Sequence, residues 1–189
     1  MSLSSRMQLI IAIILATLVV LTRSQHFSDL HNLPGASWAV FFLAGVYIKS
    51  RWGLAGFLSL AFLLDLSAYW GGVNSSCFTP AYAMLLPAYA ALWMAGRWYA
   101  KQHDLTFTSL LLLSVAVLVG TFSCELFSSG GYYLFSGKFD PSFSEFAGRL
   151  VKYYPSYLGS AAFYVTLTAL IHGIIAGIQR LNGVEIERI

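Results

Sequence analysis

Apolar stretches broken by short polar segments run the length of this chain. A bilayer core requires roughly 20 consecutive, mostly apolar residues per helix, with every backbone polar group satisfied inside the segment. Six runs approach that requirement. Residues 7–21 carry no charge between Arg6 and Arg23, 36–48 form a short run that stops at Lys49 and Arg51, and 52–69 are interrupted only by Asp65. The runs 80–94, 105–127 and 157–178 complete the set. Together they predict transmembrane helices near 7–23, 36–49, 52–70, 80–100, 105–128 and 156–179. The first run also has the length and leading arginine of a signal peptide. Leu21-Thr22-Arg23-Ser24-Gln25 lacks a small-residue cleavage pattern, so the run is read as a retained helix.

Composition points the same way. Of 189 residues, 58% are hydrophobic and 10% charged, against about 25% charged in a typical soluble domain. So few charges cannot cover a soluble globule of this size. Two cysteines are too few for a disulfide-dense secreted scaffold. A net charge of +3, unevenly spread, argues against a nucleic-acid partner. No Walker-type loop, hydrolase elbow or zinc-protease motif occurs, so the chain is not expected to couple ATP by itself. The expectation is one all-α integral membrane domain over residues 1–189, with the lipid bilayer as its solvent.

Lys and Arg collect on the cytoplasmic side of membrane proteins. With a cytoplasmic N-terminus, that face carries Arg6, Lys49, Arg51, Arg97, Lys101, Arg180 and Arg188, and the outer face Arg23, Lys138, Arg149 and Lys152, a division of 7 against 4. Both termini are then cytoplasmic. The inner connections are short and basic. The outer ones, 24–35, 71–79 and 128–155, are longer and richer in polar and aromatic residues. The last has the length of a lid or binding loop, and its portion 143–152 is predicted as a short helix at the interface.

Residues able to carry chemistry gather in these outer segments. Cys77 lies in Val73-Asn74-Ser75-Ser76-Cys77-Phe78-Thr79-Pro80. Pro80 can open a helix at its first turn, which would put the thiol near a positive helix end that favours the thiolate. A thiolate suits a transition metal or an electrophile. The residue types equally allow an inert thiol or a disulfide with Cys124. Asp65 and Glu125 are the only carboxylates inside apolar runs, where a charge is expensive and normally paired or hydrated. Arg149 is the most attractive outer partner for either. Asp65 is balanced between structural and ligand-contacting roles, and Glu125 is read as structural. His26 and His31, five residues apart, lack the i, i+4 spacing of a helical metal pair, leaving a hydrogen bond or a single ligand as their role. His103 is expected to be solvated and His172 to be a core histidine. Ala12 and Ala16, like Gly173 and Gly177, form a small-residue pair that lets another helix approach closely.

Six helices in about 190 residues, Ala12-x-x-x-Ala16 in the first, and three outer loops arranged as a lid resemble the substrate-binding S-components of energy-coupling-factor (ECF) vitamin transporters. Within that superfamily, Asp65-x3-Tyr69-Trp70-Gly71-Gly72-x4-Cys77-Phe78-x3-Tyr82, with His26, His31 and Arg149 elsewhere, resembles the BtuM type, the small cobalamin transporters of Gram-negative bacteria. The likeness covers the whole chain in architecture; its specific part is short and centred on Cys77. It implies an ECF S-component-like bundle in the bacterial inner membrane that takes up cobalamin (vitamin B12) from the periplasmic side. Cys77 would be the axial ligand of the cobalt, displacing the vitamin's own base. Removal of the cyano ligand from cyanocobalamin would be a secondary chemistry at the same site. The resemblance further implies Phe78, Tyr69, Trp70 and Tyr82 as walls for the corrin ring, Asp65 and Arg149 as polar contacts, and His26 or His31 near the metal. An energising ATPase module would dock through Ala12 and Ala16. Two other readings stay open. An S-component for a different vitamin gives Cys77 no role; a membrane enzyme with Cys77 as nucleophile needs a nearby base, and no His is adjacent in sequence.

Overall fold

The computed structural model describes residues 3–23, 34–71, 80–104, 106–137, 139 and 142–181. Among these, the chain forms six α-helices and no strand. They are α1 (Ser5–Arg23), α2 (Ser37–Tyr47), α3 (Gly53–Trp70), α4 (Leu85–Gln102), α5 (Phe107–Phe135) and α6 (Phe143–Leu181), with a 3-10 turn at Pro80–Met84. Four of them, α1, α3, α5 and α6, contain stretches long and apolar enough to cross a bilayer. Their outward surfaces bear Ile13, Ile14, Leu111, Val119, Leu170 and Ile174, all exposed. Apolar surface this extensive belongs against lipid rather than water. The chain has the makeup of a helical membrane protein.

The other two helices make the core. In α2 every residue from Ala39 to Val46 is buried, and α4 buries Ala88, Tyr89, Leu92, Trp93, Gly96 and Tyr99. Their crossing depends on two reciprocal glycines. A Cβ on Gly45 would collide with the carbonyl of Trp93, and one on Gly96 with the carbonyl of Phe42, so the backbones touch directly. Beside that crossing, Phe41 stacks on Tyr89 with centroids 4.1 Å apart and planes 3° from parallel. Arg97 donates to the carbonyls of Ile48 at 3.0 Å and Lys49 at 3.2 Å, satisfying acceptors that α2 leaves at its C-terminal end. At 11 residues, α2 is only about 16 Å long, roughly half a hydrocarbon core. The run at 36–49 therefore holds a shorter helix than expected, ended by extended backbone at Ile48.

Three further boundaries differ from the sequence expectation. The fourth segment begins as a 3-10 turn, and its α-helix starts only at Leu85. α5 runs through Ser128-Ser129-Gly130-Gly131 to Phe135, where a turn is the obvious reading. Those glycines serve close packing instead: a Cβ on Gly131 would sit 2.5 Å from Met84 Cβ, and one on Gly130 would lie 3.4 Å from the Phe146 ring. The turn comes at Gly137, whose φ of +69° is costly for any residue with a side chain. Finally, 143–152 is not a separate interfacial helix. α6 continues through Pro155 as one 39-residue element. Packing holds the chain on both sides of the proline: Tyr154 lies 3.1 Å from the Thr121 hydroxyl, and Tyr157 stacks on Trp38 at 5.0 Å. The expected 28-residue lid is thereby reduced to the stretch between Phe135 and Phe143.

Helix directions alternate. One end of the bundle, the Asp65 end, gathers the C-terminal ends of α1, α3 and α5 with the starts of α2, α4 and α6; the Arg97 end gathers the others.

Candidate functional site

At the Asp65 end, an ion pair joins α1 to α3. Arg23, in the last turn of α1, grips the Asp65 carboxylate through Nε to Oδ1 at 2.7 Å and Nη2 to Oδ2 at 2.6 Å. Its Nη1 donates to the Tyr89 hydroxyl at 2.7 Å and to Ser37 Oγ at 3.2 Å. Tyr82 donates to Asp65 Oδ2 at 2.7 Å. The two charged side chains are 14% and 20% exposed, and a two-pronged, hydrogen-bonded pair is the form in which charges tolerate such burial. Arg149 is thus not the partner of Asp65. It pairs with Glu145 one turn earlier on α6, at 2.9 Å, and lies over the Phe139 ring at 4.1 Å. Nor does it reach Glu125, whose bonded partner is Ser129.

A cavity of about 470 Å³ lies between α2, α5 and α6. Trp38, Tyr132, Tyr133, Phe139, Phe146, Tyr153 and Tyr157 supply its rings, and Glu125, Ser128, Ser129 and Arg149 its polar groups. Glu125 is 1% exposed. Ser129 Oγ donates to its Oε1 at 2.7 Å, while Oε2 has no hydrogen-bond partner. A neighbouring cleft of about 520 Å³ includes Tyr82, Leu85, Leu86 and Tyr89.

The expected site residues distribute unevenly over these features. Arg149 lines the aromatic cavity and Tyr82 the cleft. Asp65 lines neither; it is the charged centre of the network. Tyr69 and Trp70, in the last turn of α3, are exposed, Trp70 at 77%, and line neither space. Cys77 and Phe78 in 72–79, and His26 and His31 in 24–33, lie outside the described residues. Cys124 is a free thiol, fully buried, which lends no support to a Cys77–Cys124 bridge. Sequence reasoning passed over Arg23 as the partner of Asp65. The signal for Arg23 was its place two residues beyond the first apolar run, level with a carboxylate that has to be neutralised.

The Arg97 end holds a larger cavity, about 760 Å³, with mainly apolar walls. Its polar groups bond largely to one another: the Tyr99 hydroxyl lies 2.9 Å from His103 Nδ1 and 3.2 Å from Ser109 Oγ. His103 is half-buried rather than solvated, its ring 5.3 Å from that of His172. Burial, helped by the nearby His172, holds its pKa below the ordinary 6.5. Ala12 and Ala16 are half-buried and pack against the core, whereas a Cβ at Gly173 or Gly177 would meet nothing. Among the described residues, no group of three His, Cys, Asp or Glu side chains is placed to hold a metal ion.

No protein-family model matches the sequence, and no curated relative matches it significantly.

Proposed function

We propose that this chain is a bacterial inner-membrane protein of the ECF S-component type. It captures cobalamin at the Asp65 end, facing outward, and carries it toward the cytoplasm through a bundle of six membrane-crossing segments with both termini cytoplasmic. The observation that carries the reading is the aromatic cavity with Glu125 and Arg149 in its wall. A corrinoid is a wide, flat ring rimmed by amides, and it calls for ring-shaped apolar walls with a few convergent polar groups. At about 470 Å³, the cavity accommodates an edge of such a molecule rather than the whole. Further support comes from the bond between Tyr82 and Asp65. It ties the turn before α4 to α3, and so holds the two flanks of the segment that carries Cys77 and Phe78. Cys77 is then the axial cobalt ligand, with His26 or His31 assisting near the metal, and loss of cyanide is an accompanying chemistry. An energising module would meet α1 at Ala12 and Ala16.

The test is an absorbance titration of the purified protein with cyanocobalamin. The wild type should shift the corrin bands and release cyanide, and Cys77→Ser should do neither. Unchanged spectra in the variant would remove Cys77 as ligand. A preparation that ignores corrinoids but carries a yellow, riboflavin-like chromophore would move the assignment to another vitamin.

A further inference from the structure

The cavity of about 760 Å³ at the Arg97 end is walled by residues of α2, α5 and α6. Phe107, Leu110, Leu170 and Ile174 line it and are themselves exposed. It therefore opens on the apolar surface that these helices turn to the bilayer, where hydrocarbon tails are the solvent. Its volume lies within the range of about 300–1,000 Å³ common to small-molecule sites.

A second space, of about 470 Å³, adjoins it, because Val46 and Tyr47 stand in the wall of both. This one is basic. Lys49, Arg97 and Lys101 line it with no carboxylate beside them, and none of the three has an acidic partner among the described residues. Arg97 and Lys101 are one turn apart on α4, and the bonds from Arg97 to the carbonyls of Ile48 and Lys49 hold its charge at the end of α2. Three like charges around one cleft repel one another, and an anion relieves that repulsion. Asp104 lines the apolar cavity and would repel an anion placed there, so the anionic part of a ligand belongs in the basic cleft. The two spaces together suit a molecule that is an anion at one end and hydrocarbon at the other. A free phosphate leaves the apolar space unmatched, and a zwitterionic lipid brings its own cation among the lysines.

We propose that the Arg97 end holds an anionic phospholipid, its phosphate among Lys49, Arg97 and Lys101 and an acyl chain in the cavity between α5 and α6. The site stands apart from the corrinoid reading and needs only a helical membrane protein. Bound there, the lipid ties the ends of α2 and α4 to α5 and α6.

The test uses the purified full-length protein in neutral detergent, stripped of lipid, with native mass spectrometry to count bound molecules. It is titrated with phosphatidylglycerol, with phosphatidylcholine of the same chains, or with glycerol 3-phosphate. Phosphatidylglycerol should bind one per protein, about tenfold or more tightly than phosphatidylcholine, and glycerol 3-phosphate far more weakly than either. Lys49→Gln combined with Lys101→Gln, both exposed positions, should erase the preference. Ala169→Trp, which fills the cavity from α6, should weaken both lipids. Equal affinity of the wild type for the two lipids, or a preference that survives the double variant, overturns the proposal. Glycerol 3-phosphate binding as tightly as phosphatidylglycerol overturns the acyl-chain placement, as does a folded Ala169→Trp that binds like the wild type. A wild type that takes no lipid but forms a dimer, lost in the double variant, gives the site to a second copy and overturns the lipid.

Discussion

At the residue scale, the decisive group is the Arg23–Asp65 pair. Removing one member strands a charge in a setting where its partner supplied most of its solvation, at a cost of about 3–5 kcal/mol. Asp65→Ala and Arg23→Ala should each lower the melting temperature in detergent markedly, whereas Arg23→Met combined with Asp65→Leu should melt higher than either single alanine variant. A double variant as unstable as the sum of the single ones would mean the two side chains act independently. The sequence made Asp65 conspicuous, because a lone carboxylate inside an apolar run demands an explanation. Its partner was less legible. Arg149 was matched with the carboxylates inside apolar runs, but Glu145 stands one turn before it on the helix that begins at Phe143 and takes the charge. Glu125, read as structural, is buried with Ser129 as its bonded partner. Hydropathy shows that a carboxylate lies inside an apolar run, but only the packing of α2, α5 and α6 shows that its residue stands in the wall of a cavity.

At the element scale, the six apolar runs each became a helix, while the ends moved wherever Gly or Pro had a second use. Ser128-Ser129-Gly130-Gly131 reads as a turn, but the glycines admit Met84 and Phe146, and the positive φ falls six residues later at Gly137. Pro155 reads as a stop, yet Tyr154 and Tyr157 are anchored on either side of it. No local rule distinguishes a glycine needed for φ from one needed for proximity. The α2–α4 crossing gives this distinction a measurable form. Gly96→Ala places a methyl group against the Phe42 carbonyl and should destabilise by about 1–3 kcal/mol. Gly56→Ala on α3, where nothing lies within 4 Å, should be neutral or stabilise by about 0.5–1 kcal/mol. Comparing the two unfolding curves checks the claim; equal effects would show that the crossing yields without cost.

At the scale of the whole molecule, the question is how the bundle sits in the bilayer. The count of 7 basic residues against 4 understates the asymmetry. At the Asp65 end, Arg23 is matched by Asp65 and Arg149 by Glu145, while at the other end Arg97 is bound to carbonyls, which leave its charge intact. The α6 helix adds an independent constraint. Its 39 residues make about 58 Å, nearly twice a hydrocarbon core of about 30 Å. Glu145, Arg149 and Lys152 all fall in its first ten residues, so the opening turns should stand outside the hydrocarbon and the stretch after Pro155 should do the crossing. Single cysteines in a Cys77→Ser background test both points, because Cys124 is buried. With a membrane-impermeant maleimide on intact cells or spheroplasts, Ser144→Cys should label directly, Lys101→Cys only after permeabilisation, and Gly173→Cys not at all. Labelling of Lys101→Cys from outside, with Ser144→Cys protected, would turn the molecule over and place the aromatic cavity on the cytoplasmic side. In that orientation the same rings and the same Glu125 could not receive a nutrient arriving from the periplasm.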